Sequence, residues 1–413
     1  MKKNIIHFSM NDYTGAGLAA FRFHKNLKKN KFNSYLVVNE KKNNFKDIIE
    51  LNKKRIFKNF LNKAEFFLLS KNNKFAFYDK GRYLINDIRE LNFMDTLNPE
   101  VVIFHWVTNF INPILLNQIK KKYKCKIIWN VIDIAPLTGG CHINWGCKNF
   151  HKKCNKCPAV KKIFQYRPRK THLIKNKIFN NLKLDLLYTG DWMGEQIKNS
   201  SIAKGKKSYK LMIPVDENSF RPNSKTKKKN PWNIKINKKI ILFRSSSHLR
   251  KGNKILISSI NYLIKQSNIS KKKFCLMSIG DNYAQNLLNK SNIEYFNLGN
   301  IISEKKLIKV YQLADLFISP STEDVGPMMI NEAVMSGLPV ISFDIGVAKD
   351  LIINKINGYK INKISYINLA NSIKKFLNLS RQDEEKMKKN SRLIGVKYLS
   401  LKKHITTFNQ ILK

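Results

Sequence analysis

Acidic residues are scarce in this chain: 28 Asp and Glu stand against 77 Lys and Arg, for a formal net charge of +49. Arginine is scarce as well, because only 11 of the basic residues are Arg and 66 are Lys. Readers of bases and phosphates favour the planar guanidinium fork, and no Arg-rich face or aromatic-basic platform is visible here, which argues against a nucleic-acid partner. A lysine excess spread over the whole length is either compositional drift or an attraction to an anionic surface, a membrane leaflet first of all. Long apolar runs are missing too. The longest uncharged stretch, Val101–Ile119, contains His105, Asn109, Asn112, Pro113, Asn117 and Gln118, which excludes a spanning helix. The opening MKKNIIHFSMNDYTG is interrupted by Asn11 and Asp12 before an export signal could form, so it reads as a first β-strand of a cytoplasmic protein. Neither internal repeats nor low-complexity tracts stand out beyond the Lys/Asn bias.

What is present is a globular composition, 43% apolar over 413 residues, enough for two domains. Short apolar runs alternate with longer helical patterns. Strands are expected at Asn4–Phe8, Ser34–Val38, Val101–His105, Lys126–Asp133, Leu182–Tyr188 and Tyr209–Ile213, and in the second half at Lys239–Phe243, Lys273–Gly280, Tyr295–Leu298, Leu316–Ser319 and Pro339–Asp344. Continuous apolar strands separated by helices imply parallel sheets covered on both faces. The fold class is therefore α/β, two doubly wound Rossmann-like domains facing a cleft. The first spans 1–220, with a cysteine-rich insertion at about 138–158. The second spans 235–385, and C-terminal helices over 386–413 are open to crossing back to the first. The segment Pro214–Lys238, with Pro222, Pro231 and a lysine run at 226–229, is the linker.

The most informative segment begins at Ser319 and runs Ser-Pro-Ser-Thr-Glu-Asp-Val-Gly-Pro-Met-Met-Ile-Asn-Glu-Ala-Val-Met-Ser-Gly-Leu-Pro-Val. Ser319–Gly326 would form the loop at a strand's carboxyl end, with Pro327 as first helical residue and Gly337 at the C-cap. The free amides and dipole of that helix favour an anion such as a diphosphate, close to Gly326. Glu332 suits the two hydroxyls of a ribose, and Glu323 and Asp324 suit sugar hydroxyls; otherwise the latter two are helix-entry caps and Glu332 a solvated residue. A second loop, Arg244-Ser-Ser-Ser-His-Leu-Arg-Lys-Gly252, presents Arg244, Arg250 and Lys251, which would neutralise a departing diphosphate unless they are a solvated basic loop. In the first half, Gly15 and Gly17 would let backbone approach a ligand closely, although Gly-x-Gly without a third glycine is also a plain tight turn. His105, at a strand end, is a candidate for the reaction or a satisfied core histidine. Asp133 is a candidate to orient an acceptor hydroxyl or take its proton, or else a loop-forming hydrogen-bond acceptor.

Together these segments resemble glycosyltransferase family 4, the retaining group 1 transferases of GT-B fold. The likeness extends through Asn11–Arg22, His105-Trp106 and Asp133-Ile-Ala-Pro-Leu-Thr-Gly-Gly-Cys-His142 with the cysteines that follow, and through Pro214 and Phe220-Arg-Pro222. The resemblance implies a nucleotide-sugar donor, retention of anomeric configuration and no cofactor for the chemistry. It also implies diphosphate contacts from Arg244 and Lys251, a ribose contact from Glu332, and a sugar contact from the acidic residue before the helix. The family commonly has two glutamates separated by seven residues; counting back from Glu332 reaches Asp324, which is favoured over Glu323. A histidine that the family often shows just before Asp133 is replaced by Ile132.

Cys141, Cys147, Cys154 and Cys157 fall within 17 residues, among His142 and His151. Cys154-Asn-Lys-Cys157 has chelating spacing, and in a reducing compartment such a cluster most economically forms a structural Zn²⁺ site closing a loop that lacks a core, with disulfides, free thiols or redox work as alternatives. Cys125 and Cys275 read as buried strand residues. The expectation is a transferase of a hexose-type sugar onto a glycan or lipid-linked glycan in cell-surface polysaccharide synthesis, held peripherally at the inner face of the cytoplasmic membrane. The competing expectations are a nucleotide-sugar epimerase or isomerase of the same fold and a basic nucleic-acid-binding module.

Overall fold

A computed structural model describes residues 3–52, 68–75, 77, 81–223, 232, 234, 237–266, 269–288 and 293–413. The lysine run 226–229 and Pro231, expected in the linker, lie outside them. The described residues divide into two compact units, one formed by residues 1–213 with 405–413 and the other by residues 214–404.

The first unit is built on a seven-stranded parallel sheet. Its strands are β1 (Asn4–Asn11), β2 (Asn33–Glu40), β3 (Ile48–Glu50), β4 (Val101–Phe104), β5 (Lys126–Val131), β6 (Leu184–Tyr188) and β7 (Ser208–Lys210). They lie in the order β3-β2-β1-β4-β5-β6-β7. β1 and β4 are buried along nearly their whole length, as strands covered by helices on both faces must be. The C-terminal tail belongs to this unit: Ile405, Phe408 and Ile411 pack with Ile5, Phe23, Ile103 and Leu211, and Lys126 donates to the Ile411 carbonyl at 2.7 Å. Burying a side chain such as Phe408, which is fully enclosed, stabilises by about 2–3 kcal/mol.

The second unit carries a six-stranded parallel sheet. Its strands are β8 (Lys239–Ser245), β9 (Phe274–Gly280), β10 (Tyr295–Asn297), β11 (Leu316–Ser319), β12 (Val340–Phe343) and β13 (Gly358–Ile361), in the order β10-β9-β8-β11-β12-β13. Residues 214–220, expected in the first domain, belong to this unit, and so do residues 386–404. The helix Arg381–Leu399 lies so close to the helix Met328–Met335 that a Cβ on Gly395 would come within 2.7 Å of Met335 Cα.

All eleven expected strands form. β3 and β13 carry no expectation from sequence, because each is a three- or four-residue edge strand embedded among lysines and asparagines, without an apolar run. In each sheet the strand order reverses beside the first strand, at β1/β4 and at β8/β11. Loops leaving adjacent strands there diverge to opposite faces and open a crevice, the usual ligand position of doubly wound sheets. Among the described residues no helix is long and apolar enough to cross a membrane.

Candidate functional site

In the second unit, the loops after β8 and β11 meet at the switch point. After β8 the chain makes a short helical turn, Leu249–Lys251, and reverses at Gly252, whose φ of +67° is the left-handed region. A Cβ there would sit 1.8 Å from the Pro320 carbonyl oxygen, so glycine is required for the two loops to touch. The Thr322 amide donates to the Arg250 carbonyl at 2.8 Å. Asp324 completes the junction: its Oδ2 accepts from Arg250 at 2.9 Å and from Lys251 at 2.5 Å.

This junction overturns the picture of a solvated basic loop for two of its three cations. The side chains of Lys251 and Asp324 are 14% and 10% exposed. Burial pushes the Asp324 carboxyl up, but Lys251 and Arg250 outweigh it and hold the group below the usual carboxylate range. Burial also lowers the Lys251 ammonium, against the pull of Asp324. Asp324, expected to contact a sugar, is engaged by the turn instead, and Glu323 beside it is half-buried. Arg244, at the end of β8, is exposed.

Asp281, after β9, is a member of this site that sequence reasoning missed. It accepts from the Ser245 hydroxyl at 3.0 Å and from the Ser247 amide at 2.9 Å, which fixes the start of the cationic turn. A carboxylate one residue beyond a strand's carboxyl end was the available signal.

The helix Met328–Met335 is capped by Pro327, which stands one position outside the helix and not at its first turn. Gly326 precedes it, donating to Asp324 Oδ1 at 3.4 Å, and a Cβ on it would meet Val347 at 2.7 Å. Gly337 follows the C-cap residue Ser336 with φ +79°. Glu332 departs from one of its two expectations. It is 2% exposed, so it is not solvated, and its Oε2 accepts from the Tyr311 hydroxyl at 2.6 Å. A ribose contact would require that burial and that bond to give way; as placed, Glu332 ties its helix to the helix Glu304–Leu313.

In the first unit, His105 is corrected to a core histidine. It is 2% exposed, its Nε2 lies 2.9 Å from His7 Nδ1, and its Nδ1 lies 3.0 Å from Asn130 Nδ2. Burial holds its pKa down at about 3, so the ring is neutral and links β1, β4 and the end of β5. Gly17 likewise has an internal reason: its Cβ would stand 2.3 Å from the Asn11 carbonyl oxygen. Gly15, at the start of the helix Gly15–Lys29, has open space around it.

Asp133, beyond β5, both shapes its loop and holds an imidazole. Its Oδ1 accepts from the Ala135 amide at 2.9 Å, and its Oδ2 lies 2.6 Å from His142 Nδ1. So short a contact makes His142 Nδ1–H the donor. The Trp106 indole N–H lies 3.4 Å from the same nitrogen. Lys175 braces the turn by donating to the carbonyls of Ala135 and Thr138 at 3.0 and 3.3 Å. His142, nine residues on, thus places an imidazole against Asp133.

The cysteine segment has a small core of its own, contrary to the expectation of a coreless loop. Phe75, Phe77, Cys141, Cys157, Ala159 and Val160 pack together, and Phe77 bridges to Cys141. All six cysteines are free. Cys275 lies in β9, whereas Cys125 lies one residue before β5, and both are buried. As the side chains stand, no three or more His, Cys, Asp or Glu among the described residues are arranged to hold a metal ion.

Comparison with known proteins joins this geometry to a family. A search of the curated proteins finds no match. Solved structures match the fold over the whole chain. Sucrose-phosphate synthase from Thermosynechococcus elongatus gives a TM-score of 0.71 at 13% identity, covering 100% of this chain and 98% of that one. Anabaena HepE in complex with UDP and glucose gives 0.64 at 14%, covering 99% and 98%. S. aureus TarM in complex with Fondaparinux, alpha-GlcNAc-glycerol and UDP gives 0.63 at 13%, covering 100% of both. The two parallel Rossmann-like domains are those of the GT-B fold. The switch-point loops of the second unit, from β8 through β12, fall inside residues 224–394, which match the family model of glycosyl transferases group 1. That match, with the shared fold, makes the protein a glycosyltransferase.

Proposed function

We propose that the protein moves a hexose-type sugar, with retention of configuration, from a nucleotide-diphosphate donor to a hydroxyl of a glycan or lipid-linked glycan in cell-surface polysaccharide synthesis. The observation that carries this reading is the junction of the cationic turn with the loop ahead of the helix Met328–Met335, at the switch point of the second sheet. A diphosphate there would meet Arg244 directly and would compete with Asp324 for Arg250 and Lys251. Those cations, with the helix amides, would stabilise the diphosphate as it leaves. Since Asp324 is engaged, Glu323 is the better candidate for the sugar hydroxyls.

UDP in the complexes of HepE and TarM supports a nucleoside diphosphate and makes uridine the first base to try. In the first unit the Asp133–His142 pair would orient the acceptor hydroxyl. The lysine excess would hold the protein at the anionic inner leaflet as a peripheral protein.

The deciding experiment is a thermal-shift screen against nucleoside diphosphates, followed by sugar transfer from the matching donor. Stabilisation by one nucleoside diphosphate, and donor turnover only when a glycan is present, are expected. No stabilisation by any of them would end the reading. Membrane association is tested by flotation with vesicles, which should select anionic lipid over neutral lipid.

A further inference from the structure

We infer that Cys141, Cys147, Cys154 and Cys157 form a structural site for one thiophilic divalent cation, with zinc as the ion. The four cysteines, scattered over a segment without regular strands or long helices, all border a single small void of about 10 Å³. That is room for one ion or one water, and its walls are completed by Phe75, Phe150 and Pro158 and by the polar Thr138, Asn144 and Asn149. Four sulfurs around one ion-sized space match the donor set of a closed, tetrahedral zinc site.

Two further observations point the same way. A backbone N–H is directed at one of the sulfurs: Gly139 donates to Cys154 Sγ at 3.2 Å. Such donors stabilise a thiolate far more than a thiol, and they are the usual outer partners of metal-bound cysteine. The backbone of the Cys154-Asn-Lys-Cys157 turn is also held in an uncommon state, with φ of +50° at both Cys154 and Lys156. Non-glycine residues stay there only where the surroundings impose it. Loading must draw the sulfurs inward over the void they share, because as they stand they do not converge on one point. The site would clamp Cys141, and with it the adjacent His142 that sits on Asp133.

The test is independent of donor binding. The full chain, purified under reducing conditions without added metal, is assayed by elemental analysis, then exchanged with Co²⁺. About one zinc per chain is expected, together with the intense sulfur-to-cobalt charge-transfer and visible bands of a tetrahedral thiolate site. Cys154→Ser and Cys157→Ser should lose the metal. If they fail to fold, stoichiometric zinc release from the intact chain by a mercurial, with four thiols becoming reactive, gives the same answer. A metal-free folded chain with four alkylatable thiols and no cobalt spectrum would overturn the proposal, as would a mass two hydrogens lower that reveals a disulfide.

Discussion

Lys251 and Asp324 are 73 residues apart in sequence and 2.5 Å apart in the fold, nearly closed off from water. The contact joins the loop after β8 to the loop after β11. It makes one structural element of two segments that the sequence assigned to a common diphosphate.

Removing one partner of a mostly buried ion pair leaves the other charge uncompensated. Asp324→Asn should therefore lower the unfolding free energy by something on the order of 3 kcal/mol, measured by urea titration. The same change frees Arg250 and Lys251 for a diphosphate, so the thermal shift on adding the nucleoside diphosphate should grow. Lys251→Ala should cost at least roughly tenfold in affinity for that ligand, since a charge-assisted contact is lost. Unchanged binding in Lys251→Ala would remove the turn from the donor site.

Glu332 and Tyr311 should behave as a packing pair. Tyr311→Phe and Glu332→Gln each remove or weaken one buried hydrogen bond, at about 1–3 kcal/mol when a polar partner is left unsatisfied. Calorimetric titration of nucleoside diphosphate into both variants should show affinities near the parent's. A collapse of affinity in Glu332→Gln alone would restore the ribose role.

Asp133→Asn and His142→Gln should reduce kcat by about 10²-fold or more while donor KM stays within a few-fold, because neither residue belongs to the unit proposed to bind the donor. The double variant should fall little further than either single one, since the two side chains act as a unit. Additive losses measured by steady-state kinetics would show that they act independently.

Acid should destabilise the fold from about pH 6.5 downward. Burial depresses His105 and His404 to about 3 and His24 to about 4, from an ordinary 6.5. The unfolded chain therefore takes up protons first as pH falls, and each histidine contributes up to about 1.4 kcal/mol of lost stability per pH unit between those limits. Above pH 6.5 both states hold these rings neutral and the slope vanishes. Urea midpoints measured from pH 8 to pH 4 check this, and His24→Gln should flatten the curve; a flat profile in the parent would refute it.

The sheets were legible because parallel, doubly covered strands must be apolar along their length, a local property. β1, β4, β8 and β11 announce themselves in this way, whereas edge strands β3 and β13 do not. The 319–337 segment was legible for a similar reason: strand end, loop, proline and glycine stops are all local chemistry. Which carboxylate does what was not. Asp324, Glu332 and Asp133 are equally plausible ligands on paper, and only their neighbours separate them.

By itself, then, the amino-acid order determined two Rossmann-like units and the loops that carry polar groups at their strand ends, because periodicity and turn residues act within a few positions. The tertiary structure alone decided that Asp324 pairs with Arg250 and Lys251, that Glu332 faces Tyr311 indoors, that His105 is core, and that His142 sits on Asp133. The physical reason is that burial and charge pairing are set by which distant segments pack together, and a carboxylate's role follows from them.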